Sequence, residues 1–381
     1  MFVGVLLAVL PACQRDRAPD DVPADGGEAD GGAAGDAGGD NADGGDDGAP
    51  DGGFICVPGV LDAGVANWAR RCPTSGPSPR YAPTMTYDPT RGVTVLFGGG
   101  NGEIQPLGDT FEWDGSTWTE LSPATSPPGR SHSAMVYDSA RGVSVMCGGL
   151  EWNAYVLDDT WEWDGTNWQQ QMPPTNPPGR FYNAMAYDSA RQVSVMFGGE
   201  QWYTGQILGD TWEWDGTNWT QAALTGVSPS ARILHTMAYD PVRKVSVLFG
   251  GVSWEGGSSY LYQSDTWEWD GTSWTQLFPA TSPPGRDLVA MVYDSTRGVM
   301  VLFAGFSQAP GQFVFDDTWE WDGTDWTQVS PPTSPSARDS HGMAFDSRRG
   351  VAVLFGGCPH KVCDLSAPDF LSDTWEWQSG Q

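Results

Sequence analysis

Asp159-Thr160-Trp161-Glu162-Trp163-Asp164-Gly165-Thr166-Asn167-Trp168 decides the fold, because near-copies of it begin at Asp109, Asp210, Asp265, Asp317 and Asp373. Trp161 and Trp163 alternate with Thr160 and Glu162, the period of two that marks a strand with one buried face. Asp164-Gly165 reads as a tight hairpin turn, since Gly accepts the positive φ such turns demand. Trp168 then opens a second strand.

Outward from this stretch, each copy lies in a longer unit headed by an arginine. The six are Arg80, Arg130, Arg180, Arg232, Arg286 and Arg338, spaced by 50, 50, 52, 54 and 52 residues. In the second unit, Ser133 to Asp138 (SAMVYD) and Gly142 to Gly149 (GVSVMCGG) are two further predicted strands. The turn between them starts with Asp138 and ends with Gly142, as a type I turn prefers. Four antiparallel strands repeated six times, none able to bury its own faces, predict an all-β, six-bladed β-propeller.

The chain ends make the count. The sixth unit stops at Trp375-Glu376-Trp377-Gln378-Ser379-Gly380-Gln381, before any Asp-Gly turn or fourth-strand Trp. Trp68, however, precedes Arg80 by 12 residues, the gap that also separates Trp118 from Arg130, Trp168 from Arg180, Trp274 from Arg286 and Trp326 from Arg338. An N-terminal strand near Val65 to Arg71 is therefore expected to complete the last blade and leave no open sheet edge at the seam.

These units resemble kelch-repeat propellers. The resemblance rests on the Gly-Gly pairs ending the second strand (Gly98-Gly99, Gly148-Gly149, Gly198-Gly199, Gly250-Gly251 and Gly356-Gly357) and on the Trp one strand later, over residues 68 to 377. Ala304-Gly305 departs from the pattern in the fifth unit. The resemblance implies a fold, but its functions range over protein-binding scaffolds, a copper galactose oxidase and a sialic acid mutarotase.

Short turns should occupy one face of the ring, leaving the Pro-rich links and the variable loops between second and third strands on the other. Binding usually resides in variable loops on a rigid scaffold. The candidate binding residues are the loop aromatics Trp152, Tyr155, Trp202, Tyr203, Trp254, Tyr260, Tyr262, Phe306 and Phe313, which suit stacking on a sugar or anchoring a protein. The alternative is that such rings fold back on neighbouring blades. The six leading arginines, matched by Glu112, Glu162, Glu213, Glu268, Glu320 and Glu376, read as repeated inter-strand ion pairs rather than a catalytic set. His235 and His341 lie three residues after their arginine but His132 only two, so no three-histidine metal cluster is expected.

Cys147 stands where the other units carry Phe (Phe97, Phe197, Phe249, Phe303, Phe355) and is expected to be a buried thiol. Cys56 with Cys72, and Cys358 with Cys363, are candidate disulfides in an exported protein. A metal site at Cys358, His360 and Cys363 would need a second ligand pair that the sequence does not offer.

The N-terminus bears on location. Met1 to Leu10 is apolar and leads into Pro11-Ala12-Cys13, which resembles a bacterial lipoprotein lipobox, although Pro11 and the lack of a basic residue ahead of the run depart from it. The resemblance implies lipidation at Cys13, and Gln14 after it implies the outer membrane. Residues 14–53 carry twelve acidic residues against Arg15 and Arg17 among Gly and Ala, the composition of a disordered tether. The expected organisation is a signal and lipid site at 1–13, a tether at 14–53 and the propeller at 54–381.

Lys and Arg total 19 against 48 Asp and Glu, a net charge of −29. That argues against a nucleic acid or an anionic lipid surface, both of which require a basic footprint. No Gly-x-Ser-x-Gly elbow, His-Glu-x-x-His, Cys-x-x-Cys or phosphate loop occurs. The expected protein is a monomeric, non-catalytic binding propeller without cofactor or metal. It touches the membrane only through its lipid and recognises a protein or glycan at the cell envelope. The second expectation is a carbohydrate-active propeller of mutarotase type, working at the central channel mouth.

Overall fold

The computed structural model describes residue 59 and residues 64–380, apart from 104, 152–154, 203, 225, 255–259, 309–313 and 360–368. The expected signal segment, tether and Cys13 lie outside the described residues, as do Cys56, Cys363, Trp152, Tyr203 and Phe313. Among the described residues there is no helix.

The repeat folds into four-stranded antiparallel sheets, the architecture of a kelch-type β-propeller. In the first, Thr84–Asp88, Val93–Gly99, Leu107–Trp113 and Trp118–Leu121 pair in sequence order. Four more sheets follow the same order. The remaining one consists of Gly342–Asp346, Val351–Gly357 and Leu371–Gln378, with Asn67–Arg71 along its outer edge. There Trp68 lies opposite Trp377, the position that Trp118 holds opposite Trp113. First strands of successive sheets touch in cyclic order, including Thr84–Asp88 against Gly342–Asp346.

The sheets are too small to bury their own faces, so the core lies between them. Val95 and Phe97 of one sheet, for example, pack with Met135, Met146, Trp161, Trp163 and Trp168 of the next. Burying an indole also buries its N–H, which must then find an acceptor. Each fourth-strand Trp donates Nε1 to a third-strand Thr of the preceding sheet: Trp118 to Thr374, Trp168 to Thr110, Trp219 to Thr160, Trp274 to Thr211 and Trp326 to Thr266. Trp68 makes the sixth such bond, to Thr318 at 3.0 Å. Cys147 is buried where its counterparts are Phe, and burial pushes its thiol up to about 12, so it behaves as an apolar residue. Cys72 and Cys358 each take part in a separate disulfide.

The arginine pairing differs from the sequence expectation. The leading arginines do not meet the strand glutamates. Arg130 instead places both terminal nitrogens on Asp159, at 2.6 and 2.9 Å, and caps the Gly148 carbonyl at 3.0 Å. The same fork recurs from Arg80 to Asp109, Arg180 to Asp210, Arg232 to Asp265, Arg286 to Asp317 and Arg338 to Asp373. The glutamates belong to the turn arginines: Arg91, Arg141, Arg191, Arg243, Arg297 and Arg349 each join the Asp three residues earlier to the Glu of their own sheet's third strand. The error has a geometric cause. Arg and Glu sit at opposite ends of their strands, whereas Asp159 immediately precedes the third strand, beside the point where Arg130 enters the sheet.

Candidate functional site

The loop-bearing end of the central channel is built from the residues just after each leading arginine. Two places on, Ala82, His132, Tyr182, Leu234, Leu288 and Ser340 all have φ between +47° and +62°. For non-glycine residues this region is sparsely populated and costs on the order of 1–3 kcal/mol each, so surrounding structure must hold them there. Here the hold is a cycle of backbone hydrogen bonds. His132 N donates to Ala82 O, Tyr182 to His132, Leu234 to Tyr182, Leu288 to Leu234, Ser340 to Leu288 and Ala82 to Ser340, at 2.6–3.3 Å. These six residues and the six that follow them (Pro83, Ser133, Asn183, His235, Val289, His341) line a cavity of about 150 Å³.

One half of the rim is aromatic. Ring contacts run from Phe370 to Tyr81 (4.9 Å), Tyr81 to His132 (5.6 Å), His132 to Tyr182 (4.5 Å), Tyr182 to Phe181 (4.3 Å) and Phe181 to Trp202 (6.4 Å). The other half is acidic. Asp287 and Asp339 occupy the place that Tyr81 and Phe181 hold in their own units, and are 2% and 5% exposed. Burial pushes Asp339 up to about 7, against the hydrogen bond from Ser340 Oγ at 2.8 Å. Burial first, and then the charge of Asp339, lift Asp287 well above the carboxylate range.

The three described histidines are neutral. Burial holds His132, His235 and His341 near 3, with Arg232 adding to the effect at His235 and Arg338 at His341. His132 lies in the hydrogen-bonded cycle, while His235 and His341 lie one residue further along, packed edge-on against Phe197 and Phe303 of the preceding sheets. Among the described residues no group of three or more His, Cys, Asp or Glu is arranged to hold a metal.

The loop aromatics divide. Tyr155 and Trp254 are more than half exposed. Trp202 is half-buried against Phe181. Tyr260 and Tyr262 lie in the strand Tyr260–Tyr262, which pairs with Val252–Trp254 in a hairpin above the fourth sheet. Phe306 is not an exposed plate: only 3% of it is accessible, and its backbone bridges to Asp287 and Val314. A loop residue that extends the second strand inward is buried by the sheet it extends.

The rim residues Tyr81, Phe181, Tyr182, Asp287 and Asp339 carry no candidate role in the sequence, and His132 is weighed there only as a metal ligand. Their signal was present: the two places after each arginine read Tyr-Ala, Ser-His, Phe-Tyr, Ile-Leu, Asp-Leu and Asp-Ser inside an otherwise repeated frame.

The profile of the KLHDC2/KLHL20/DRC7 Kelch-repeats domain matches residues 44–251 and 190–380. Mei4-dependent protein 6 of Schizosaccharomyces pombe is 30% identical over 166 residues, which is 39% of this chain. The match spans 23% of that relative's length.

Proposed function

The chain belongs to the kelch-repeat family, and from that premise we propose that it is a closed six-bladed propeller that binds a protein through its loop-bearing face. Closure is supported by the cycle of six hydrogen bonds and by the Trp68 bond to Thr318. Kelch-repeat propellers generally mediate protein binding. The observation that carries the reading here is the rim: a repeated scaffold holds six identical backbone positions and varies the side chains displayed there. Identity changes where it costs the fold nothing, which is what recognition needs.

The exposed rings Tyr155 and Trp254 extend the same face outward. The proposed setting is a bacterial envelope, with lipid on Cys13, residues 14–53 as a spacer, and disulfides joining Cys56 to Cys72 and Cys358 to Cys363. Binding of a glycan rather than a protein is an alternative on the same surface. A sugar-converting enzyme is less well supported, because all six leading arginines are committed to aspartates away from the rim.

The test is cross-linking capture from envelope extract with the full chain as bait, beside Trp254→Ala and Tyr182→Leu variants. A partner captured by the parent and lost by the variants supports the reading. Equal capture by all three, or none above an unrelated propeller, ends it. A glycan array run on the same material would instead favour the sugar alternative.

A further inference from the structure

We propose that the channel mouth accepts a basic side chain, lysine or arginine, presented by the protein partner, held between the aromatic arc and the Asp287–Asp339 pair. This deepens the protein-binding reading and rests on it.

The argument starts from the distribution of charge. Two sets of frame aspartates have arginines: six pair with the leading arginines and six with the turn arginines, while the hairpin aspartates, such as Asp164, accept from the backbone N–H groups of their own turn. Asp287 and Asp339 stand outside that frame. Each directly follows a leading arginine, yet Arg286 and Arg338 turn away to Asp317 and Asp373. Asp287 Oδ1 is buried with no hydrogen-bond partner among the described residues, and Asp339 accepts from the Ser340 hydroxyl. The two segments are tied by the bond from Ser340 N to Leu288 O, so the acids sit side by side, each next in sequence to a residue lining the cavity. A buried acceptor without a donor is costly, and a positively charged donor is the partner that would relieve it most.

The cavity itself supplies an independent indication. His341, 7% exposed, leaves both ring nitrogens unpartnered. His235, 6% exposed, also makes no full hydrogen bond, although the Phe197 carbonyl lies near enough to oppose weakly the effect of burial. Neutral imidazoles offer one acceptor nitrogen each, and an ammonium or guanidinium is acceptor-seeking on every face. Across the cycle from Ser340, Tyr182 lines the cavity, and Tyr81 flanks Asp339 in the adjoining unit; aromatic faces attract a cation within about 6 Å. A cavity of about 150 Å³ suits a group of roughly benzene's bulk, the scale of a guanidinium head. The net charge of −29 draws cationic partners toward the molecule at long range. An acidic ligand would meet no free arginine at this rim, since the leading six are spoken for.

The experiment titrates the full chain with N-acetyl-lysine methylamide, N-acetyl-arginine methylamide, the isosteric N-acetyl-norleucine methylamide and N-acetyl-glutamate methylamide, followed by NMR. At least one basic probe is expected to bind at least tenfold more tightly than norleucine, while the glutamate probe does not bind. Asp287→Asn and Asp339→Asn should each weaken the basic probe tenfold or more with an unchanged circular dichroism spectrum. Tyr182→Leu should weaken it by a smaller factor. Binding should strengthen as pH rises through about 7, because the cation displaces a proton held by the acid pair. If neither basic probe binds better than the norleucine probe, or if both Asn variants bind the basic probe in full, the proposal is overturned. If those variants still capture the partner that the parent captures, the basic-side-chain inference fails while the protein-binding reading stands. If the parent captures nothing and binds no probe, both fail.

Discussion

At Arg130 the guanidinium is fully buried, and among the described residues Asp159 is its only carboxylate. Removing one member of such a pair strands the other charge in a low-dielectric site, which costs roughly 3–5 kcal/mol. Arg130→Ala should therefore lower unfolding free energy by about that amount in urea titration. Arg130→Lys should recover only part of it, because an ammonium cannot reproduce the two-pronged fork. A loss below about 1 kcal/mol for the alanine variant would contradict the role assigned to the pair. The rim acids make a pH prediction. Asp339 titrates near 7 when folded and near 3.9 when unfolded, so its contribution is intact below about pH 4 and declines as pH rises through 7. Asp339→Asn should thus gain melting temperature relative to the parent between pH 4 and pH 8. His235 and His341 act in the opposite sense. Held near 3 in the fold, they stabilise above their unfolded value of about 6.5, and that stability is lost as pH falls toward 3.

At the level of the element, the strand Asn67–Arg71 finishes a sheet whose other members lie some 270 residues or more away. Its Trp68 is fully buried beside Phe303 and Trp377, at ring separations of 4.8 and 5.5 Å. Trp68→Ala should cost about 3–5 kcal/mol, within error of the equivalent change at Trp168. Guanidinium unfolding of the two variants in parallel checks this; a negligible effect at Trp68 alone would mean that this strand contributes no stability.

The strands were legible before the structure because alternation, Asp-Gly turns and the 12-residue Trp spacing each report locally. Arg130 pairing with Asp159 rather than Glu162 was not legible, since a choice between acids three residues apart depends on which end of the strand the arginine enters. Nor was the rim. Tyr182 and Asp287 acquire meaning only when six backbone positions converge on one axis, and no one-dimensional pattern measures convergence. The loop aromatics were chosen for looking exposed, a property that Phe306 lost to its own sheet extension while Trp254 kept it.

For the whole molecule, the sheets share their cores, so no single one is a folding unit. Deleting the described residues ahead of Cys72 should leave the edge of Leu371–Gln378 unpaired and Thr318 without its indole donor. An exposed edge of this kind templates pairing with another chain. Size-exclusion chromatography should then show soluble oligomers or aggregate in place of the parent's elution position, and a clean monomer would argue that the seam is dispensable.

The bond from Trp68 to Thr318 carries a mechanical consequence. Once the Cys72 disulfide is reduced, tension on the N-terminus runs through the Gly59 N to Arg70 O bond to the pairs Asn67–Gln378 through Arg71–Thr374. The indole, latched into the neighbouring sheet, is the catch that must slip first. In an optical trap under reducing conditions, pulling between the two termini should release this short strand in one early step, with the rest yielding at higher force. Trp68→Phe, which keeps the bulk but not the N–H, should lower the force of that first step alone.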